Sequence, residues 1–176
     1  IMVTVDMGAV SDSLFESELF GHIKGAFTDA RDDRVGKMEA ANHGTLFLDE
    51  IGNLTLPLQS KMLTALQNRE ITRLGSNKPI SIDIRLISAT NCDLTKMIAE
   101  GRFREDLLYR LNTILIEVPP LRERGKDIIN LAEYFIRKFA ARYGKSNLRL
   151  SQAAADKLIA YPWPGNIREL QHTIEK

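Results

Sequence analysis

The sequence predicts an α/β protein, a mostly parallel sheet with helices, followed by a small all-helical unit. Three observations carry this. Short apolar runs that stop abruptly at polar residues alternate with segments of helical periodicity. A proline pair, Pro119-Pro120, interrupts the alternation. Beyond that pair every apolar pattern is helical.

In order along the chain, Met2 to Val5 reads as a short strand, and Gly44 to Leu48 as a second, apolar on both faces and ending at Asp49-Glu50. Leu58, Met62, Leu63 and Leu66 recur at helical spacing, and Ile82 to Ala89 reads as a third strand. A fourth, Ile114 to Val118, runs into the proline pair, which marks the boundary between residues 1–118 and 119–176. Ile128, Leu131, Ala132, Phe135, Ile136, Phe139 and Ala140 then form one apolar stripe. Ser151 can cap the next helix, which Pro162 ends. Asn166 with Glu169 resembles a capping box opening a last helix marked by Ile167, Leu170 and Ile174.

The bulk numbers exclude several classes. A chain of 176 residues that is 44% hydrophobic fits a globular protein. The 24 Lys+Arg against 23 Asp+Glu lack the basic excess of a nucleic-acid-coating protein. One cysteine, Cys92, cannot form an intramolecular disulfide, and His22, His43 and His172 are too scattered for zinc spacing, which suggests a reducing, cytoplasmic compartment. No apolar run approaches the roughly 20 residues needed to span a bilayer, so no membrane partner is expected. Because the chain starts on Ile and stops inside a helical pattern, it reads as a fragment of a longer protein.

Five segments hold candidate chemistry. Leu46 to Glu50 delivers two adjacent carboxylates to the carboxyl edge of a sheet, where open α/β folds bind ligands; one could hold Mg²⁺ and the other polarise a water, or both could simply solvate a strand end. Thr90 and Asn91 end another strand with neutral polar groups able to hydrogen-bond a phosphate, or else make a turn. Arg104 and Arg110 lie six residues apart, so on a regular helix of about 100° per residue they cannot share a face. If both touch one phosphate, Arg104 must precede the helix; the alternative is two exposed arginines paired with Glu105 and Asp106. Arg168 falls in the first turn of the last helix, where a cation opposes the helix dipole, so a ligand anion would account for it; the simpler alternative is a solvated arginine. Finally, Glu18 to Ala30 puts Phe27 near Gly21 and Gly25, either as the tip of a mobile, partner-binding loop or folded back into the core.

Together and in this order, these segments resemble the AAA+ domain of sigma-54-dependent activators, the bacterial enhancer-binding proteins. Gly25-Ala26-Phe27-Thr28-Asp29-Ala30 is similar to the family's Gly-Ala-Phe-Thr-Gly-Ala loop, with Asp29 where the fifth residue is normally Gly. The fold this implies is AAA+ type: a three-layer, mostly parallel sheet with helices over 1–118, then part of a helical lid over 119–176. The resemblance also implies roles. Asp49 would serve Mg²⁺, through water, and Glu50 would be the base that activates water for ATP hydrolysis. Thr90 and Asn91 would be sensor I, Arg104 and Arg110 the fingers reaching a neighbouring subunit's nucleotide, and Arg168 the sensor II arginine.

The partners it implies are sigma-54 RNA polymerase, through residues 25–30, and further copies of the chain in a ring, usually a hexamer. DNA would be reached only through a separate C-terminal helix-turn-helix domain. A sensory or response-regulator domain would precede this one. Two departures stand out. The Gly-x-x-x-x-Gly-Lys phosphate loop would lie ahead of Ile1, so these residues alone are expected to bind ATP poorly. Asp6 stands where many relatives carry an Asn that switches Glu50, and a carboxylate there donates no hydrogen bond unless protonated. The rival readings are a generic AAA+ remodeller, from which the 25–30 loop discriminates, and a non-hydrolysing interaction module marked by Asp29 and Asp6.

Overall fold

A computed structural model describes residues 1–8, 12–145 and 148–176 of the chain. Its contacts divide it into two units, Ile1–Leu115 and Ile116–Lys176, a division three residues ahead of the expected one. In the first unit, strand β1 (Met2–Asp6) leads to helix α1 (Asp12–Phe20) and a small antiparallel pair, β2 (Gly21–His22) with β3 (Arg34–Val35). The short helix α2 (Lys37–Ala40) precedes β4 (Thr45–Asp49). A 3-10 turn at Ile51–Asn53 connects β4 to helix α3 (Leu56–Asn68). A second hairpin, β5 (Glu70–Thr72) with β6 (Pro79–Ser81), leads into β7 (Arg85–Ser88), followed by helices α4 (Leu94–Ala99) and α5 (Glu105–Leu111).

The frame is a parallel sheet in the order β1-β4-β7, with β4 at its centre. Register fixes which residues meet at the carboxyl edge: Asp6 lies opposite Asp49, and Leu48 opposite Ser88. Alternation along β4 drives this, because Leu46 and Leu48 are both fully buried on one face. They join Leu19, Met38, Ile51, Met62 and Leu107 in one core. Helix α3 is the amphipathic element the leucine spacing implies; Pro57 sits in its first turn, and Arg69 ends it in the left-handed conformation.

Two expectations for strands are corrected. The third strand is shorter than Ile82 to Ala89, because Ile82 and Asp83 donate their N–H groups to Arg69 O and the Asn42 side chain instead of to a ladder. Only Arg85–Ser88 pairs with β4. Ile114 to Val118 forms no strand: no ladder hydrogen bond reaches it among the described residues, and Ile114, Leu115, Ile116 and Val118 are 70 to 81% exposed. A β-branched composition suits a strand, but without a neighbouring strand the backbone groups have no partners.

The second unit holds a 3-10 turn at Leu121–Glu123 and helices α6 (Asp127–Arg142), α7 (Gln152–Ala160) and α8 (Asn166–Glu175). Ile128, Ala132, Phe135 and Phe139 are buried along α6 at the expected spacing and pack with Leu121, Trp163 and Leu170. Ser151 caps α7 by accepting the Ala154 N–H. The expected capping box at Asn166 is shifted. The Asn166 side chain accepts the Leu121 N–H at 2.8 Å, while Glu169 reaches back to the N–H of Gly165. No helix in the described residues is long and apolar enough to cross a membrane.

Leu46 is a measurable test of the frame. Leu46→Ala should cost about 2–5 kcal/mol in urea denaturation, whereas Leu46→Met should cost less than about 1.5 kcal/mol, because the first leaves a cavity at the sheet centre and the second fills it.

Candidate functional site

Polar groups gather at the carboxyl edge of the sheet because parallel register sends β1, β4 and β7 out at the same end. Asp49, half-buried, uses Oδ1 to accept the N–H of Glu50 at 3.1 Å, while its Oδ2 accepts no hydrogen bond among the described residues. Glu50 leaves the strand in the left-handed conformation, φ 58° and ψ 46°. That is uncommon and mildly strained for a residue with a Cβ. The turn brings its Oε2 to 3.4 Å from the backbone N–H of Asn91, so the two strand exits touch. The Ile51 N–H donates to Ala89 O at 2.9 Å and ties the same exits together by backbone.

Thr90 turns its Oγ1 to accept the Cys92 N–H, and a Cβ on Gly52 would come within 3.0 Å of that oxygen. Glycine there lets the 3-10 turn after Glu50 lie directly against Thr90. Asp6 sits across from Asp49, but its Oδ1 accepts the Gly8 N–H at 2.8 Å, a local turn rather than a bond to Glu50. Five of the residues singled out in the sequence, Asp6, Asp49, Glu50, Thr90 and Asn91, therefore share one edge. Asp49 alone is a modest metal donor, and among the described residues no cluster of three or more His, Cys, Asp or Glu could hold a metal ion. One free carboxylate oxygen suits Mg²⁺, which keeps several waters and takes the rest of its shell from phosphates.

The arginines follow the edge residues in sequence, at the two ends of α5. Arg104 is the residue before the helix and Arg110 lies in its last turn. The Arg104 guanidinium forms a bidentate pair with Asp106 at 3.0 and 2.7 Å and also reaches Ser60 Oγ, while Arg110 donates to Leu66 O at 3.1 Å. The hydrogen bond from Arg104 holds the Asp106 carboxyl below the usual carboxylate range; desolvation opposes this, and charge attraction adds to it. Arg168 belongs to the second unit, where it is an exposed residue of the first turn of α8.

Residues 25–30 form a tight loop beyond β2, closed by bonds from Gly25 N–H to Ala30 O and from Ala30 N–H to Phe27 O. Phe27 falls between the two readings left open in the sequence: it is 38% exposed, yet one edge of its ring packs on His22 at 5.0 Å. His22 is itself buried and bonded to Ser17 Oγ at 2.6 Å. Gly21 makes the entry possible, with φ 79° and a position where a Cβ would lie 2.5 Å from Arg34 O. Asp29 keeps a negative φ, so this loop geometry does not require glycine at that position.

Residues 1–117 match the family model of the sigma-54 interaction domain. The chain belongs to this family. Residues 122–176 of the same sigma-54 interaction chain match the AAA+ ATPase lid domain. Among curated relatives, the sigma54-dependent transcriptional activator SfnR of Pseudomonas putida is 55% identical over 172 residues, covering 98% of this chain and 47% of SfnR. The transcriptional regulatory protein ZraR of Salmonella typhimurium is 52% identical over 175 residues, covering 99% of this chain and 40% of ZraR. The chain thus spans less than half the length of either relative.

Among solved structures, NtrX of Brucella abortus in complex with ADP gives a TM-score of 0.89 at 36% identity, covering 99% of this chain and 38% of NtrX. S. cerevisiae Hsp104 in complex with casein gives 0.64 at 22% identity, a likeness of fold alone. The expected AAA+ α/β fold is therefore the observed one.

Three residues of this sigma-54 interaction chain carry geometry that the motifs did not reveal, Ser17, His22 and Gln59, whereas the pairing of Arg104 with Asp106 is the alternative the sequence had offered. Gln59 had a legible signal, since it stands three and four residues before Met62 and Leu63, on the face that the apolar stripe sends inward.

The Arg104–Asp106 pair predicts a pH dependence. Because the folded-state value of Asp106 is lowered, the pair's contribution is present above the unfolded carboxylate value of about 4 and is lost as pH falls through the folded value. An NMR titration of the Asp106 carboxyl should give a midpoint below the ordinary range, and Arg104→Ala should raise it.

Proposed function

We propose that this chain is the nucleotide-hydrolysing and sigma-54-contacting unit of a cytoplasmic transcription activator. The observation that carries the reading is the edge where Asp49, Glu50, Thr90 and Asn91 leave adjacent parallel strands, with the Glu50 carboxylate 3.4 Å from the Asn91 N–H. A general base must be held near the proton it takes, and a γ-phosphate sensor must report to that base. Here both roles fall on strand ends tied by a backbone bond.

In this reading Glu50 activates the attacking water, and Thr90 and Asn91 hydrogen-bond the γ-phosphate. Asp49 holds Mg²⁺ through its free oxygen and bound waters, and the ion when bound neutralises charge on the phosphates. Arg168 of the lid adds a cation to the nucleotide. Arg104 and Arg110 act on the nucleotide of a neighbouring subunit in a ring, which family resemblance makes a hexamer. Arg104 would leave Asp106 to do so, exchanging one charge-assisted pair for another. Asp6 regulates access of Glu50 by its negative charge beside Asp49. Turnover also requires a phosphate-cradling segment, since no Gly-x-x-x-x-Gly-Lys occurs in these residues. DNA contact belongs to a separate domain.

The loop of residues 25–30 supports sigma-54 as the target, through the family match and the exposed part of Phe27. Contact with sigma-54 would draw Phe27 away from His22 and let its whole ring enter the partner.

Two measurements test these assignments in the intact protein. Glu50→Gln should lower ATP turnover by roughly 100-fold or more while nucleotide binding persists, because it removes a base and keeps the shape; unchanged turnover would take Glu50 out of the reaction. Phe27→Ala should leave ATPase activity largely intact but abolish sigma-54 binding and promoter opening. Normal transcription by that variant would make a generic remodeller the better reading.

A further inference from the structure

Among the described residues of the first unit the most fully buried polar side chain, Gln59, belongs to none of the motifs above. It is 0% exposed, on the inward face of α3. Its Nε2 donates to Leu54 O at 2.8 Å and to Arg102 O at 3.0 Å, and its Oε1 accepts the Arg104 N–H at 2.8 Å. None of those three backbone groups has another partner among the described residues. An amide buried among apolar side chains is costly unless its donors are satisfied, and here both are.

The three bonds join two places that sequence keeps far apart. Leu54 closes the 3-10 turn that begins at Ile51, and Ile51 is tied to Ala89 at the Glu50–Asn91 edge. Arg102 and Arg104 flank Phe103, whose buried ring anchors the approach to α5. Arg104 is the residue before that helix, where N–H groups have no partner within the helix. An arginine side chain has many rotamers, so the accuracy with which its guanidinium is aimed depends on the backbone that carries it.

We propose that Gln59 is a positioning residue that locks the Arg104 backbone to the Glu50 edge of its own subunit, so that the arginine is presented correctly to the nucleotide of the neighbouring subunit. This rests on the trans-acting reading of Arg104 given above. A rigid amide bridge also offers a route by which a change at the Glu50–Asn91 edge moves the arginine offered next door.

The test uses the intact protein and Gln59→Met, which keeps volume and removes all three bonds. Alone, the variant should turn over ATP roughly tenfold more slowly or worse, with KM for ATP little changed. Mixed with a Glu50→Gln protein and shown to co-assemble, it should regain partial activity. The Glu50→Gln subunits have correctly held arginines, and the Gln59→Met subunits have intact bases. An Arg104→Ala plus Glu50→Gln mixture serves as reference.

Recovery in both mixtures supports the proposal. Recovery only in the reference mixture overturns it, because Gln59 would then serve its own subunit's site or stability alone. Recovery in neither overturns the trans-acting reading, and the proposal with it. Should Gln59→Met fail to fold, hydrogen exchange on the unmodified protein decides: the Arg104 amide should exchange as slowly as those of β4, and rapid exchange at this helix start would overturn the proposal.

Discussion

Parallel pairing of β4 with β1 on one side and β7 on the other is the constraint from which the rest of the first unit follows. Leu46 and Leu48 are buried to completion on one face of β4, and a one-residue slip would turn both outward. With register held by that burial, Asp6, Asp49 and Ser88 have no freedom in where they end. The chemistry of the edge is thus set by the packing of two leucines one and three residues before Asp49. The strain at Glu50, a left-handed residue with a full side chain, sits where the rigid sheet releases the chain.

The helices after the sheet extend that rigidity outward. A backbone bond from Ile51 to Ala89, the amide of Gln59 and the burial of Phe103 form a continuous series of contacts from the strand exits to the start of α5. Arg104 and Arg110, by contrast, hold their guanidinium groups at the exposed surface, on Asp106 and on a backbone carbonyl. Their backbones are fixed and their heads are held by solvent-accessible partners that are readily exchanged.

Much of this was legible in the sequence, because it is written in short-range periodicity. The abrupt end of Leu46-Phe47-Leu48 at Asp49-Glu50, the spacing of Leu58, Met62 and Leu63, and the stripe from Ile128 to Phe139 each correspond to an element whose burial depends on its own pattern. Angular spacing also showed that Arg104 and Arg110 cannot share a face of one regular helix, and Arg104 does precede α5. What could not be read depends on partners distant in sequence. Gln59 is bonded to residues 43 and 45 positions away, and Asn42 intercepts the Asp83 N–H that would have lengthened β7. The Asn166 amide went to Leu121 rather than to its own helix start. Local propensity favours a strand at Ile114 to Val118, but a ladder needs a second chain segment, and propensity does not supply one.

That last segment has a consequence for the life of the chain before it is fully folded. Ile114-Leu115-Ile116 is a run of high β-propensity, so wherever it stands unpaired a second molecule could add a strand to it and start an aggregate. The residues that follow limit the danger. Glu117 places a charge directly after the run, and Pro119-Pro120 removes two N–H groups and stops the extended segment from growing. The proline pair, just beyond the division between the two units, would therefore also block the growth of such a ladder.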